Sequence, residues 1–327
     1  MIKAMHKTII RRILILIPQL LVISVIIFLM AIAMPGDALT GFTENPNLSF
    51  EQIEAQREAL GLNDPWHVQY ARWISGIVLR ADFGDSVIHA RPVVNVIGER
   101  LYNTFWLALL TFTLTYLLAV PFGIISGRYS GKFVDRIIST YTYFALAMPL
   151  VVLALIILLV FSFNLGLFPF RGSVSIEALD GNVFRYLLSR LHHMVLPAFT
   201  GAILGTVGII QYLRNEIADY KSADFVTTAR SKGVPERIIY SRHIFKNALV
   251  PMVSNIGFVL VALFAGAVLT ETVFSYPGMG LLFLESIRLR DFTVVNAIVI
   301  IIAALTALGG LLSDILLTIV DPRIRIR

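Results

Sequence analysis

The sequence predicts an all-α polytopic membrane protein with about six transmembrane helices and both termini in the cytoplasm. Three observations predict it. Hydrophobic residues make up 57% of the 327 residues and charged ones only 15%, whereas soluble domains sit nearer half and a quarter. Six stretches, 13–36, 101–127, 137–170, 191–213, 247–270 and 292–313, contain no Lys, Arg, Asp or Glu. The lysines and arginines are unevenly shared between the segments that separate those stretches.

Each charge-free stretch exceeds the ~20 apolar residues that a helix needs to cross the hydrocarbon core. In lipid the backbone must satisfy its own hydrogen bonds, which selects helices or closed barrels. A barrel needs alternating segments of ~10 residues, and none of the six alternates. The third stretch, at 34 residues, is too long for one upright helix. Its span is placed at about 140–162, with Asn164, Gly166 and Pro169 along the outer surface. The first stretch follows Lys3, Lys7, Arg11 and Arg12 and contains Ala31-Ile32-Ala33, which looks like a signal-peptidase site. Its length exceeds the 7–15 residues of a cleaved signal, so an uncleaved first helix is expected.

With both tails inside, the inner segments 1–12, 128–136, 214–246 and 314–327 hold 17 Lys/Arg in 68 residues. The outer segments 37–100, 171–190 and 271–291 hold 10 in 105. That is the bias of the positive-inside rule. The organisation expected is a tail and first helix over 1–36, an extracytoplasmic segment over 37–100, a membrane core over 101–320 and a C-terminal tail over 321–327. Within 37–100, Ser49 and Gln52 are spaced as a capping box, opening a helix that ends near Gly61. A second helix is expected over Trp66–Leu79.

The pattern excludes several chemistries. There is no cysteine, hence no disulfide, thiolate metal site or cysteine nucleophile. The nearest approach to a phosphate loop, Gly127 through Gly131-Lys132-Phe133, is one residue short and lacks the magnesium-binding hydroxyl. His192 and His193 lie together at the outer mouth of the fourth span, without an evident third ligand, and read as an interfacial pair. Ionisable residues avoid the span centres, where ion-coupled pumps place them; Glu271 and Asp314 flank spans. The chain is not expected to be an enzyme, and the energy for any transport would come from another subunit.

The inner loop 214–246 is the most informative segment. A short helix is expected over 222–233, with Ser222 as a plausible N-cap and Gly233 at the left-handed C′ position. Val234-Pro235-Glu236 then restarts a helix, with Pro235 in its first turn, carrying Arg237, Arg242, His243 and Lys246 towards Pro251. Two short helices and basic residues also occur in DNA-binding motifs, but this loop is tethered to membrane at both ends. A docking element for a cytoplasmic partner fits better, with Phe225, Val226 and Ala229 as an apolar face and Arg230 and Lys232 available to acidic groups.

Thr227-Thr228-Ala229 followed by Gly233 resembles the "EAA" motif of binding-protein-dependent ABC importer permeases. Ala229 through Gly233, with Arg242-His243, Asn247-Ala248-Leu249 and Pro251, resembles the dipeptide/oligopeptide and nickel branch. Thr227 stands where the general motif has glutamate. Further matching pieces are Met34-Pro35-Gly36-Asp37, Leu60-Gly61-Leu62 with Gln69-Tyr70, Asp82-Phe83-Gly84 with Ser86, and Pro92 with Glu99-Arg100-Leu101. Late in the chain come Glu271 to Gly280, through the turn Pro277-Gly278, and Asp321-Pro322-Arg323. The resemblance implies a type I ABC importer permease in a bacterial or archaeal cell membrane. It implies partners: a second homologous permease, two ATPases that carry ATP and Mg, and an extracytoplasmic binding protein. No cofactor would be bound by this chain. Short peptides would be the substrate, with a nickel or metal-chelate importer as the sibling alternative. A non-transporting structural or assembly protein is the alternative of another class. Carried over by motif position, the ATPase-coupling residues would be Asp224, Thr228, Ala229, Lys232 and Gly233.

Overall fold

The computed structural model describes residues 2–34, 36, 39, 49–254 and 256–320. Pro35, Asp37 and the motif Asp321-Pro322-Arg323 lie outside them. The described residues are all-α apart from one two-residue ladder, and the chain divides into two compact units.

The first unit comprises residues 1–104 and 277–307. It begins with α1 (Ile2–Ala33), followed by α2 (Phe50–Ala59) and α3 (Trp66–Arg80). The capping box at α2 is complete: Gln52 N–H donates to Ser49 Oγ at 3.2 Å, and Ser49 N–H to Gln52 Oε1 at 2.9 Å. Gly61 closes the element at φ +66°, a backbone angle that costs glycine little. The C-terminal half of α1 packs on α3. Phe28 stacks on Trp73 with centroids 5.5 Å apart, and the Ser24 and Tyr70 hydroxyls share a 2.8 Å hydrogen bond.

A tight ladder follows, β1 (Asp85–Ser86) against β2 (Arg91–Pro92), and leads into α4 (Val93–Arg128). The unit's core is apolar: Val93, Val96 and Ile97 of α4 meet Met279 and Leu282 of α13 (Met279–Arg288) and Val294, Ala297 and Ile298 of α14 (Phe292–Val320). Two polar side chains tie its elements together. Asp291, just before α14, takes the Ser86 hydroxyl on one carboxylate oxygen, and its other oxygen faces the Val294 N–H at 3.4 Å. Thr104 Oγ accepts the Met279 N–H at 2.8 Å, which satisfies a donor that α13 leaves open.

The second unit comprises residues 105–276 and 308–327. It takes α4 from Phe105 onward and continues with α5 (Phe133–Ala147), α6 (Leu150–Ile157, prolonged by one wide π-helical turn to Asn164) and the short α7 (Ile176–Leu179). Then come α8 (Val183–Tyr220), α9 (Asp224–Ser231), α10 (Glu236–Ile238, prolonged by a π-helical turn Ile239–Ile244), α11 (Phe245–Ser254) and α12 (Ile256–Val273).

The segments α4 and α8 run parallel and in close contact. A Cβ on Gly123 or Gly127 would fall 2.7 Å from the Cβ of Leu213 or Ile217. Further along, Gly201 and Gly205 of α8 face Thr111 and Thr115 of α4. Each helix therefore offers small residues four apart to the other's bulk. In lipid, where apolar burial between helices gains little, such close approach is what drives pairing.

The third charge-free stretch differs from the expected single span at 140–162. Its helix starts earlier, at Phe133, and bends by 104° between Ala147 and Leu150. The cause is Pro149: Met148 before it is extended at ψ 117° and Pro149 itself at ψ 135°, as the ring imposes on its neighbour. Among the described residues, four helices are long and apolar enough to cross a membrane, and the bent pair makes five. The fifth charge-free stretch is covered by α11 and α12, with residue 255 between them outside the description. The fold is thus an all-α, multi-pass membrane fold.

Candidate functional site

The loop between α8 and α11 is built around one apolar seat. Val226 (0% exposed) and Ala229 (7%) of α9 point into a cluster with Leu213 and Ile217 from α8, Ile239 and Ile244 from the π turn, and Ala248 and Met252 from α11. The sequence makes this face because 226 and 229 lie three apart, on one side of a helix. The opposite side is exposed and polar: Asp224, Thr227, Thr228, Ser231 and Lys232.

Both ends of α9 are defined by backbone geometry. Ala223, not Ser222, is the N-cap residue, and no side chain caps it; the Ser222 hydroxyl instead donates to the Asp219 carbonyl at 3.0 Å. At the other end Gly233 has φ +74°. Its N–H donates to the Arg230 carbonyl at 2.9 Å, and Val234 N–H donates to the Ala229 carbonyl at 3.1 Å. These two bonds form a Schellman cap, and Val234 packs on the same cluster as Ala229, the hydrophobic contact that accompanies the motif. Pro235 stands just before α10 in an extended conformation, one position outside the turn expected for it. Arg230 Nε reaches Glu236 Oε1 at 2.7 Å across this corner. The guanidinium holds the Glu236 carboxyl below its ordinary range.

Of the five residues that the motif singles out, Asp224, Thr228, Lys232 and Gly233 are exposed on one stretch, and Ala229 is separated from them. An apolar face made of Phe225, Val226 and Ala229 and offered to a partner is therefore corrected. Val226 and Ala229 are buried in the chain's own core because the seat formed by Leu213, Ile217, Ile239 and Ile244 takes them up. Phe225 alone remains on the surface, beside the Tyr220 ring at 5.9 Å. Thr228 donates its hydroxyl to the Asp224 carbonyl at 2.8 Å, so its methyl and backbone are what a partner would meet.

Sequence reasoning missed the struts beneath this loop. Lys221 Nζ donates to the carbonyl of Arg128, the last residue of α4, at 2.6 Å and lies 3.2 Å from Ser130 Oγ in the turn between α4 and α5. Burial holds the Lys221 ammonium below its ordinary value. Nearby, Asp135 of α5 is 2% exposed and binds Arg214 of α8. The only sequence signal was a carboxylate in the first turn of α5, where the helix dipole favours it.

At the other end of α8, His192 Nε2 lies 2.8 Å from the Leu167 carbonyl and His193 Nδ1 2.8 Å from the Ser189 carbonyl. Among the described residues, no three His, Cys, Asp or Glu side chains approach closely enough to hold a metal ion. The turn at Pro277-Gly278 follows a second cap of the Schellman type. Ser275 (φ 44°) donates its N–H to the Thr272 carbonyl, and Tyr276 donates to the Glu271 carbonyl at 2.8 Å.

The model of the binding-protein-dependent transport system inner membrane component matches residues 119–326. Its N-terminal companion matches residues 5–108. The chain belongs to this family of importer permeases. It is 38% identical over 321 residues to the oligopeptide transport system permease protein AppB of Bacillus subtilis, covering 98% of this chain and 99% of the relative. It is 31% identical to the glutathione transport system permease protein GsiC of Escherichia coli K12, again covering 98% and 99%. The fold of an inward-facing MetNI methionine ABC transporter chain superposes with a TM-score of 0.54 at 13% identity, covering 69% of this chain and 96% of that one. The permease is accordingly a multi-pass protein of the cell membrane with a transport role.

Proposed function

We propose that this permease forms half of a translocation pathway for short peptides in an ATP-driven importer. The peptide class is supported by full-length similarity to permeases named for oligopeptides and glutathione. Six spans with both termini in the cytoplasm are supported by the charge-free stretches and by the positive-inside bias. The same bias puts α9 on the cytoplasmic face. The organisation into an N-terminal helix to residue 36, an extracytoplasmic segment 37–100, a core 101–320 and a short tail follows from that orientation.

In this reading α9 is the coupling helix and an ATPase subunit receives Asp224, Thr228, Lys232 and Gly233, while Ala229 secures the helix from behind. One observation carries it: a short helix, capped at Gly233 and anchored by Val226 and Ala229, presents a polar face that is exposed among the described residues. Such a helix moves as a body. Closure of the ATPases on ATP would push it, and through Leu213 and Ile217 the push reaches α8, giving alternating access. The binding protein shifts the equilibrium only by its differential affinity for the outward-open state. The complete system needs a second permease, two ATPases that hold ATP and Mg, and an extracytoplasmic binding protein.

The test is reconstitution. Proteoliposomes with all subunits should accumulate labelled short peptides only with ATP inside and binding protein outside. Uptake that persists without the ATPases would refute the reading.

A further inference from the structure

Asp135 has an environment that a solvated surface charge does not need. One carboxylate oxygen accepts from Ser126 Oγ at 2.5 Å and Arg214 Nε at 2.6 Å. The other accepts from Gly131 N–H at 2.7 Å and Arg214 Nη2 at 2.9 Å. With Ser139 Oγ at 3.4 Å on the first oxygen, five donors from four places thus converge on one buried group: the end of α4, the turn after it, α5 itself and α8. The fork-on-fork contact with Arg214 fixes orientation as well as distance. Lys221 adds a second tie, six residues beyond α8's Asn215, to the same α4–α5 turn.

We infer that Asp135 and Arg214 are positioning residues that make the α4–α5 turn travel with the coupling loop. The inference rests on the reading of α9 as the ATPase contact. Its consequence is a second output arm. Motion entering α9 passes to α8 through the apolar seat. From α8 it passes through the Asp135 clamp to α5, which leads to the 104° bend and α6. There α6 packs Ala154, Ile157 and Leu158 against Leu196 of α8 and Phe274. A push on one short helix therefore moves a block of α4, α5, α6 and α8. A purely apolar contact resists separation but tolerates sliding; a bidentate pair onto a buried carboxylate does not, because slippage leaves the Asp135 charge unpaired in a poorly solvated site.

The chain has no cysteine, so paired spin labels at Lys132→Cys and Ser241→Cys report the α4–α5 turn against the loop seat in the full importer. The wild-type clamp predicts the same label distance in nucleotide-free and ATP-trapped states. Asp135→Asn predicts a distance that changes with nucleotide and an uptake per ATP lowered about tenfold, with ATPases still co-purifying. Arg214→Lys, which keeps charge but not the fork, should fall between wild type and Arg214→Met. If Asp135→Asn fails to assemble, Lys221→Met at the half-buried second tie gives the milder version of the same loosening. A wild-type label distance that shifts by several ångströms between states overturns the inference, as does an Asp135→Asn importer with unchanged distance and unchanged uptake per ATP. Loss of ATP-driven uptake in the wild type would instead strike the ATPase reading, leaving the clamp to be judged by the label distance.

Discussion

Replacing Gly233 isolates the contribution of backbone geometry to coupling. A Cβ built there has nothing within 4 Å, so a side chain adds no clash, and the cost is conformational alone. At φ +74° an ordinary L residue costs roughly 1–2 kcal/mol, and a β-branched one approaches roughly 3 kcal/mol. The chain can escape that strain only by giving up the two cap bonds, Gly233 to Arg230 and Val234 to Ala229. Each is worth about 1 kcal/mol. By either route Gly233→Val loses about 2–3 kcal/mol, which lowers the population of the capped loop roughly 30- to 150-fold relative to open forms. Gly233→Ala should lose about half as much, and Gly233→Asn little, because asparagine visits the left-handed region readily. The assay is peptide uptake per ATP hydrolysed in proteoliposomes, with subunit co-purification measured alongside. The ordering Gly, Asn, Ala, Val is expected for coupling, with ATP hydrolysis persisting in the weaker variants. Wild-type uptake per ATP in Gly233→Val would refute the reasoning, as would an Asn variant as impaired as the Val variant.

Three other perturbations follow from the packing. Asp291→Ala removes the acceptor of Ser86 and the group facing the Val294 N–H at the start of α14, and should cost about 1–3 kcal/mol in thermal unfolding of the purified permease; a neutral result would show that the hairpin is not tied there. Gly127→Leu places bulk against Ile217 and should destabilise the α4–α8 pair by about 1–3 kcal/mol, read as a lower detergent melting temperature, whereas Gly208→Ala, with open space around it, should not. Glu236→Gln breaks an exposed pair and should leave uptake within about twofold. Because Arg230 depresses the Glu236 pKa, the pair's contribution is present above the ordinary glutamate pKa and is lost as pH falls through the lower folded value. Any stability difference between Glu236→Gln and wild type should therefore vanish in acid, and a difference that grows in acid would contradict the assignment.

Much of the architecture was legible because lipid leaves so few options. A charge-free stretch of sufficient length has to be helical, and five of the six coincide with long or paired helices. The cap at Gly233 and the capping box at Ser49 were legible because both follow from local backbone chemistry. What was not legible was direction. Helical spacing shows that Val226 and Ala229 share a face, but not that the face is taken up by Ile239, Ile244 and Met252, residues that reach it only after the chain turns at Pro235. The motif reading made Ala229 a surface residue, although its small size is explained as well by a tight seat. The 104° bend was readable in principle from Pro149 inside the third stretch, which charge counting ignores. The Asp135–Arg214 clamp was invisible because its partners are separated by 79 positions and neither belongs to a motif.

Coupling through α9 requires that its exposed face meet an ATPase. Single cysteines at Thr228, Ser231 and Ala229 in this cysteine-free chain, challenged with a short thiol-reactive cross-linker in membranes containing the whole importer, test that directly. Cross-links to an ATPase subunit from Thr228→Cys and Ser231→Cys, and not from Ala229→Cys, are predicted. ATPase cross-links absent at 228 and 231, in membranes that still take up peptide on ATP, would contradict it.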